Sequence, residues 1–413
     1  MSRLRSLLVD LSLSAASLLL FYLFCELVVF PLNLIHFPHR LQWRANDPLL
    51  LFTQSTRRHR LPKDYIAIVG DSHAAGVISD EAGLAKFSSL GRASDAYLFR
   101  KTGRDILALG QPGAGSLGGL VGTPIGTLEF FARTRLYRVP EPSVILAYFY
   151  EGNDLDDSIR ELEQRYDGKS DAARFKDPAY FREFIEGVVL AEHPLHRVAR
   201  DFRWYDNLLL ARLIRNYAAR SWANTSFKRP DLSRFFTRNS KPVLMNGLRP
   251  APAPSPPPVN RVLVDGKEVG LPPALQSPAL ELTVPELERA AWVFEQSLKH
   301  LAGRFPKARV YTVYIPSPLS CYELASPKVS IERYHSRGEL YDSRLVRPRS
   351  ELIAGLIRKA SERCRVPFID ARPAMRAEAE KRLIHGPRDW FHPNAIGYAV
   401  LGDAVLGGLE RSR

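Results

Sequence analysis

Five short runs of apolar residues recur along the chain, and helical patterns lie between them. None of the runs alternates with polar residues, and this is typical of strands that are covered on both faces in a parallel sheet. Alternating strands and helices predict a doubly wound α/β fold, in which helices cover both faces of a parallel sheet to give three layers. The predicted strands are 65–69, 106–109, 144–150, 310–315 and 366–369.

Two of the helices can be placed from the spacing of their residues. A first helix over 285–301 begins near Thr283 or Pro285, residue types that favour a helix start. A second, over 394–409, is rich in Ala and Gly, which suits close packing on a sheet. One face of the first helix carries Leu287, Ala291, Phe294, Leu298 and Leu301.

The composition is that of a folded, basic protein. Hydrophobic residues make up 45% of the 413 residues and charged residues 25%, which excludes general disorder and a fibrous repeat. The net charge of +14 favours an anionic partner: phospholipid headgroups, acidic glycans or nucleic acid. Nucleic acid ranks last and is not expected, because no zinc-finger spacing, RNA-recognition signature or compact Lys/Arg block is present.

Cysteine usage limits the chemistry further. Three cysteines are too few for a disulfide framework or a cysteine-built metal site, and we expect neither a metal nor a cofactor. Cys321 follows the carboxyl end of one predicted strand, whereas Cys364 precedes the amino end of the next. In a parallel sheet those ends lie farther apart than the ~7 Å between Cα atoms that a disulfide can bridge. We therefore expect no disulfide between them unless 316–321 folds back.

The segment 11–37 is apolar apart from its serines and three other polar residues, Glu26, Asn33 and His36. About 20 apolar residues cross the hydrocarbon of a membrane, so the segment is long enough to span one. It exceeds the apolar region of a cleaved signal peptide, and no small-x-small cleavage site follows it. We therefore predict a transmembrane anchor over 1–40 and one further domain over 41–413. The alternative is a buried core helix.

Charge does not orient this predicted anchor. Arg3 and Arg5 precede the span, whereas Arg40 and Arg44 follow it, so the positive-inside count is undecided. Glu26 within the span would be costly against lipid. Its presence predicts a partner helix or a side chain that reaches the headgroups.

Residues 155–283 interrupt the alternation of strands and helices. Apolar residues recur there at helical spacing, with arginines between them: Leu195, Val198, Phe202, Tyr205, Leu209 and Leu213. One interpretation is a basic amphipathic helix on a membrane surface or a partner. We favour the other, a helical insertion that packs its apolar face on the domain. Within the insertion, 250–258 holds six prolines in nine residues and predicts a semi-rigid surface loop.

Polar residues follow the predicted strands where each strand ends. The first strand leads into Gly70-Asp71-Ser72-His73, the second into a stretch containing Gly113, and the third into Gly152-Asn153-Asp154. Asp389 and His392 come just before the last helix. Ligands bind at the carboxyl ends of the strands in an open parallel sheet. Nucleophile, base, carboxylate and oxyanion donors, the groups that acyl transfer needs, are therefore predicted to meet at one edge.

These four blocks resemble the SGNH (GDSL-type) hydrolase family. The family has GDS after its first strand, a glycine after the second, G-x-N-D or GND after the third, and D-x-x-H before the final helix. Any one block is weak, but here all four stand in that order, over about 65–155 and 305–410. The resemblance implies a three-layer, flavodoxin-like sheet. The GDSHA form around Ser72 looks like that of bacterial SGNH domains that acylate or deacylate surface carbohydrates, often beside a membrane acyltransferase.

The resemblance also implies a role for each residue. Ser72 would be the nucleophile and, through its backbone N–H, one oxyanion donor. Gly113 and the side-chain amide of Asn153 would be the other donors. His392 would act as the base, oriented by Asp389 as in other triads.

Each residue also has a structural interpretation. Ser72 and Asp154 are residue types that cap helices, and for Asp154 we prefer the cap. Asn153 is compatible with a turn, and His392 with a surface loop. Gly110 and Gly115 compete with Gly113 as the source of the N–H. His73 either helps to bind a donor or acceptor or only packs, and Asp71 is taken as structural.

The sequence thus predicts a membrane-anchored serine esterase or O-acyltransferase. The expected substrate is an acyl ester, foremost O-acetyl groups on an envelope carbohydrate, at a bacterial inner membrane with the catalytic domain in the periplasm. The motif does not separate hydrolysis from transfer. The alternatives are a lipid or lysophospholipid esterase and a non-catalytic, membrane-anchored binding subunit of a polysaccharide-modifying complex.

Overall fold

The computed structural model describes residues 2–34, 48–54, 56–76, 93–169, 171, 174–226, 259–332, 337–387 and 389–412. The described strands are β1 (Ile66–Val69), β2 (Ile106–Ala108), β3 (Val144–Tyr150), β4 (Arg261–Val264), β5 (Lys267–Gly270), β6 (Arg309–Ile315), β7 (Glu323–Leu324), β8 (Lys328–Glu332), β9 (Arg337–Asp342) and β10 (Phe368–Asp370). The described α-helices are α1 (Ser2–Phe24), α2 (Phe30–Asn33), α3 (Ser94–Thr102), α4 (Thr123–Arg133), α5 (Asp154–Arg160), α6 (Pro178–Phe184), α7 (Pro194–Arg200), α8 (Leu209–Ser226), α9 (Val284–Arg304), α10 (Pro318–Cys321), α11 (Val346–Arg363), α12 (Arg372–Ala379) and α13 (Ala395–Arg411). Shorter π-helical turns are Cys25–Val29, Leu117–Gly122, Glu161–Arg165 and Ile185–Leu190, and 3₁₀ turns are Pro48–Thr53, Trp204–Asn207 and Ser343–Leu345.

A parallel sheet of five strands forms the centre, in the spatial order β10–β6–β3–β1–β2. All five strands predicted from the apolar runs are present, each within two residues of its predicted start. The chain order reverses between β1 and β3, where Ile66 pairs with Val144. This is the flavodoxin-like arrangement, and ligands bind at such a switch point. The predicted doubly wound α/β fold is confirmed.

Helices cover both faces of this sheet. Successive residues of a strand point to opposite faces, so Ala67 and Ile145 join one apolar cluster while Ile66 and Val144 join another. The first cluster includes residues of α4, α5, α9 and α11, and the second includes residues of α3, α12 and α13. Strands buried on both sides have no polar face, which explains why the runs are continuous.

The two predicted helices are α9 and α13. Thr283 and Glu286 form a capping box at the start of α9, and its predicted apolar face is buried. At the start of α13, the Asn394 side chain accepts hydrogen bonds from the backbone N–H groups of Ile396 and Gly397. Each helix therefore begins at a residue whose side chain satisfies the first backbone donors.

The N-terminal apolar segment is a helix that continues from α1 through a π turn into α2. Among the described helices, Arg5–Asn33 is the one long and apolar enough to cross a membrane, with a mean hydropathy of 2.2. A membrane span and a signal sequence share these properties. Arg40 and Arg44, two of the four arginines in the undecided charge count, lie outside the described residues.

Glu26 has a partner within the same chain. Its side chain is fully buried and accepts hydrogen bonds from the backbone N–H groups of Leu210 and Ala211, both at 3.1 Å. Those N–H groups belong to the first turn of α8, where an anionic side chain is favourable. Of the two interpretations of Glu26, the structure therefore shows the partner helix.

The insertion packs on the domain, as we favoured. Leu195 and Leu209 are buried, and Val198, Phe202 and Leu213 pack against the core. The residues at helical spacing do not form one continuous helix, however. α7 ends at Arg200, and the 3₁₀ turn Trp204–Asn207 separates it from α8. The proline-rich run 250–258 lies outside the described residues.

The apolar helix and the strand ends that carry the motifs lie at opposite edges of the sheet. Tyr137, whose hydroxyl donates to the Glu26 backbone oxygen at 3.2 Å, lies in the segment that leads into the amino end of β3. Arg57, which precedes β1, donates to the backbone oxygen of Leu34 at 2.9 Å. The end of the apolar helix is therefore attached at the amino edge, whereas Ser72 and Asn153 follow the carboxyl ends of β1 and β3.

The cysteines are free thiols. Cys321 is buried in α10, and burial raises its pKa. Cys364 follows α11, where its Sγ donates to the backbone oxygen of Glu295 at 3.4 Å. The two cysteines are thus not joined.

Candidate active site

Ser72 lies on a tight turn directly after β1. Gly70 precedes the turn with a φ of +142°, and a Cβ there would lie 2.7 Å from the backbone oxygen of Tyr148. Only glycine fits this backbone position without strain. Because Ser72 follows Gly70 by two residues, it lies at the carboxyl edge of the sheet. Its exposed fraction is 9%.

Three predicted site residues meet at this edge. Ser72 Oγ lies 2.8 Å from His392 Nε2. His392 Nδ1 lies 2.5 Å from Asp389 Oδ2. The hydroxyl, imidazole and carboxylate therefore form one continuous hydrogen-bonded series, although 320 positions separate Ser72 from His392 in the sequence.

Hydrogen bonds from backbone N–H groups hold the loop 389–394 in place. Asp389 Oδ1 accepts a hydrogen bond from the Phe391 N–H at 2.8 Å, and the Asn394 N–H donates to the Ile384 oxygen at 2.9 Å. Because Asn394 also caps α13, the loop is fixed at both ends. His392 therefore has a defined orientation before any substrate binds.

The charge of Asp389 is set by two opposing effects. Burial alone would raise the pKa of Asp389. The hydrogen bond and the electrostatic interaction with His392 lower it by a larger amount, so the pKa of Asp389 lies below its ordinary value. Asp389 is therefore ionised at neutral pH. An ionised carboxylate at Nδ1 favours the tautomer that has its proton on Nδ1 and leaves Nε2 free to accept one.

Asp71 and His73 flank the serine in the buried turn. Ser72 Oγ also lies 3.1 Å from Asp71 Oδ2. Asp71 Oδ1 accepts the His73 backbone N–H at 2.9 Å, and His73 Nδ1 lies 3.2 Å from Oδ2. Burial lowers the pKa of His73, so its imidazole is neutral at pH 7. The contacts of Asp71 hold the turn together, in line with the structural role that we expected.

Tyr150, at the end of β3, is a site residue that the sequence did not reveal. Its ring lies 3.9 Å from the His73 ring, centroid to centroid. Its hydroxyl contacts Gln276 Oε1 at 2.7 Å and the Phe391 backbone oxygen at 3.3 Å. Tyr150 thus joins the serine turn to the histidine loop. In the sequence it is only the last residue of an apolar run.

Asn153 is buried at the amino end of α5. Its Nδ2 donates to Asp157 Oδ2 at 2.8 Å. Asp157 lies four residues later on the helix and also pairs with Arg160. The spacing of four residues between Asn153 and Asp157 at a helix start is the signal in the sequence for this contact.

Asp154 is the first residue of α5, but it does not act as the helix cap that we preferred. Its Oδ2 accepts the Tyr150 backbone N–H at 2.8 Å, so it closes the end of β3 instead. Burial and the nearby charge of Asp71 raise its pKa well above the ordinary value.

Gly113 occupies an exposed turn after β2. Its φ is +71°, a conformation that favours glycine, and nothing lies within 4 Å of the position that a Cβ would take. Gly110 and Gly115 differ, because a Cβ on either would lie within 2.5 Å of the backbone. Of the three glycines, Gly113 is therefore the one that faces open space.

Among the described residues, no group of three His, Cys, Asp or Glu side chains is arranged to hold a metal ion. A hydroxyl that is hydrogen-bonded to an imidazole, itself hydrogen-bonded to a carboxylate, can attack a carbonyl carbon as the imidazole removes its proton.

No protein-family model and no curated protein match this chain. Several solved structures are similar to it at low identity. An extracellular lipase from Streptomyces rimosus has a TM-score of 0.38 and 12% identity, covering 85% of this chain and 100% of the lipase. A phospholipase A1 from Streptomyces albidoflavus has a TM-score of 0.36 and 11% identity, covering 85% and 100%. A carbohydrate acetylesterase from Sinorhizobium meliloti has a TM-score of 0.33 and 9% identity, covering 85% and 100%.

Proposed function

We propose that the chain is an SGNH-type serine esterase or O-acyltransferase that works through an acyl-serine intermediate. The observation behind this proposal is the hydrogen-bonded series from Ser72 through His392 to Asp389, with Oγ and Nε2 2.8 Å apart. A serine that only capped a helix would not need an imidazole on its hydroxyl. The four sequence blocks at the strand ends support the same conclusion.

The reaction begins when Ser72 Oγ attacks the carbonyl carbon of an ester and His392 Nε2 takes the hydroxyl proton. The carbonyl electron pair moves onto oxygen, and Asp389 stabilises the imidazolium. Collapse of the tetrahedral intermediate breaks the ester bond, and the leaving alkoxide takes the proton from His392. Water or a sugar hydroxyl then attacks the acyl-serine and loses its proton to His392. Collapse of this second tetrahedral intermediate breaks the bond to Ser72 Oγ, which takes the proton back from His392.

Three donors are assigned to the developing oxyanion: the backbone N–H groups of Ser72 and Gly113, and the side-chain amide of Asn153. An amide nitrogen has two N–H groups. Asp157 accepts one of them and so orients the amide plane, and we assign the other to the oxyanion. Open space around Gly113 allows a substrate to approach its backbone.

The substrate class is proposed to be an O-acylated carbohydrate of the envelope, with acetyl as the acyl group. The net charge of +14 suits an acidic glycan. The placement of the site at the edge opposite the apolar helix suits a polymer that approaches from outside the membrane. Residues 1–40 are proposed as a single-pass anchor in a bacterial inner membrane, with the domain over 41–413 in the periplasm and a membrane acyltransferase as partner.

The two alternatives have less support. A lipid or lysophospholipid esterase would need its site close to the bilayer, whereas the proposed anchor joins the opposite edge of the sheet. A non-catalytic binding subunit would not require Ser72, His392 and Asp389 in hydrogen-bonding order.

The first test is turnover of a small acetyl ester by the full-length chain in detergent, comparing the wild type with Ser72→Ala. Ser412→Ala, at the far C-terminal end of α13, is the matched control. We expect turnover and an acyl adduct in intact-mass spectra from the wild type and the control, and neither from Ser72→Ala. A folded wild type with no turnover and no adduct would overturn the proposal. Adding candidate glycans to the active enzyme then separates transfer from hydrolysis.

A further inference from the structure

The proposed anchor is fixed to the domain by its last turns. Glu26 binds the first turn of α8, and Phe30 and Leu34 belong to the same apolar cluster as the sheet. A buried carboxylate that satisfies two backbone donors is costly to pull away. The helix and the domain are therefore expected to move as one body, so that one face of the domain stays beside the membrane.

The outer side of the same turns is apolar and exposed. Leu27, Val28, Val29 and Leu32 point away from the domain, with about half of the Leu27 and Leu32 surfaces exposed. Such side chains are stable within lipid rather than water. If these turns lie in the membrane, the part of the domain that contacts Glu26 lies at the depth of the lipid headgroups.

A basic surface with exposed apolar residues adjoins this position. Trp204 is 77% exposed and Leu136 is 47% exposed. Two contacts join their segments: the Arg135 N–H donates to Asn207 Oδ1 at 2.7 Å, and Arg133 donates to the Arg200 backbone oxygen at 3.1 Å. We call this the basal surface; its residues are Leu136, Trp204, Tyr205, Arg133, Arg135, Arg138, Arg200 and Arg203.

We infer that the basal surface lies on a bilayer containing anionic phospholipid. Five exposed arginines belong to it, against the exposed acids Asp201 and Glu141 beside them. Arginine binds phosphate groups, and tryptophan and tyrosine concentrate at the membrane–water interface. Its neighbour Tyr137 contacts both Glu26 and Phe30, so the surface is continuous with the proposed anchor.

This inference rests on the proposed anchoring but not on the proposed chemistry. Carbonate extraction of membranes tests the anchoring separately, because a spanning chain remains in the pellet. The basal surface is tested by whether Trp204 touches lipid. Failure of the anchoring and failure of the basal surface are therefore distinguishable.

The experiment measures tryptophan fluorescence of the full-length chain in nanodiscs that hold equal amounts of phosphatidylglycerol and phosphatidylcholine. Bromine on the acyl chains quenches only tryptophans that reach the lipid. Trp204→Phe removes the tryptophan of the basal surface, and Trp390→Phe, on the active-site loop at the opposite edge, is the matched control. Trp204 makes its described ring contact with Tyr205 alone, so its replacement is expected to leave the fold intact.

We expect the quenched fraction to fall in Trp204→Phe and to hold or rise in Trp390→Phe. Bromine on phosphatidylglycerol should quench more than bromine on phosphatidylcholine, although the lipid composition is identical. This preference should disappear in the double variant Arg200→Gln, Arg203→Gln. An unchanged quenched fraction in Trp204→Phe would overturn the proposed contact between the basal surface and lipid, and would favour a protein partner there. Equal quenching by the two brominated lipids in the wild type would overturn the anionic preference.

Discussion

At the scale of single residues, the amide of Asn153 connects the geometry of a helix to the proposed chemistry. Asp157 accepts its Nδ2 hydrogen at 2.8 Å and is itself buried and paired with Arg160. A buried acceptor held in this way fixes the plane of the amide. An oxyanion donor contributes to catalysis when its direction is set before charge develops, because no reorganisation is then needed.

We therefore expect Asn153→Ala to lower kcat about 10²–10³-fold, the usual loss for one oxyanion donor. KM for a small acetyl ester should change little, because the donor acts mainly on the oxyanion of the transition state. Steady-state kinetics of the two proteins, with circular dichroism to verify folding, provide the measurement. Activity within a few-fold of the wild type would show that the Asn153 amide has only a structural role at the start of α5 and is not an oxyanion donor.

Asp157→Ala is the companion variant, and it tests whether Asp157 acts by orienting the Asn153 amide. It keeps the Asn153 amide but removes the acceptor that orients it. We expect a loss of kcat that is smaller than that of Asn153→Ala, and no further loss when the two changes are combined. Fully additive losses would contradict a shared role.

At the scale of elements, a buried carboxylate supports the start of the helical segment after β2. Glu161 Oε2 accepts the Leu117 N–H and Oε1 accepts the Gly118 N–H, both at 3.1 Å. Burial raises the pKa of Glu161 from 4.5 to about 7, although Arg165 and these N–H groups oppose the shift. The folded protein therefore binds this proton more tightly than the unfolded chain does.

This difference predicts a pH-dependent stability. An acid with a raised folded pKa stabilises the fold fully below its unfolded pKa, and that contribution is lost as pH rises through about 7. Over this window the loss is roughly 3 kcal/mol at most. Glu161→Gln keeps one of the two acceptor oxygens and cannot ionise, so the cost of the lost acceptor is the same at every pH. We expect the melting temperature of the variant to rise relative to that of the wild type between pH 5 and pH 8.

Melting curves of both full-length proteins in one detergent, at pH 5 and pH 8, provide this measurement. Other groups titrate in both proteins, so only the difference between them is informative. A variant whose melting temperature falls relative to the wild type between pH 5 and pH 8 would show that the ionised carboxylate stabilises the helix start, contrary to the direction argued here.

The elements that the sequence predicted well are those fixed by local patterns. Continuous apolar runs placed all five strands of the sheet, because a strand buried on both faces has no polar positions. The two predicted helices begin next to Thr283 and Asn394, whose side chains bond to backbone within three residues. The convergence of Ser72, Asp389 and His392 also followed, since the carboxyl ends of parallel strands share one edge.

The contacts that the sequence did not predict are distant or depend on shape. Glu26 binds Leu210, 184 positions away, and no periodicity connects the two. Tyr150 was hidden in a strand, because its contact with the His73 ring arises only when two strands are neighbours. The spacing of Leu195 to Leu213 suggested a continuous helix. The chain instead turns at Trp204–Asn207, where the Arg203 N–H donates to the Asp206 side chain.

At the scale of the whole molecule, the sheet separates the proposed anchor from the proposed active site. The amino end of β3 follows the segment that contacts Glu26, and its carboxyl end leads into Asn153. Seven residues of strand span roughly 20 Å. A domain fixed to its anchor therefore holds Ser72 away from the bilayer, so that a lipid ester within that bilayer cannot reach it without leaving the membrane.

We therefore expect the full-length enzyme in nanodiscs to release acetate from an acetylated oligosaccharide in solution and no fatty acid from the surrounding phospholipid. A short-chain, water-soluble phospholipid is the control that separates chemistry from access. If it is also left intact, the site rejects lipid esters, and the carbohydrate proposal gains support. If it is cleaved while the bilayer is spared, lipid chemistry is possible and only geometry prevents it. Fatty acid released from the nanodisc itself would contradict the arrangement, because the site would then have to face the membrane.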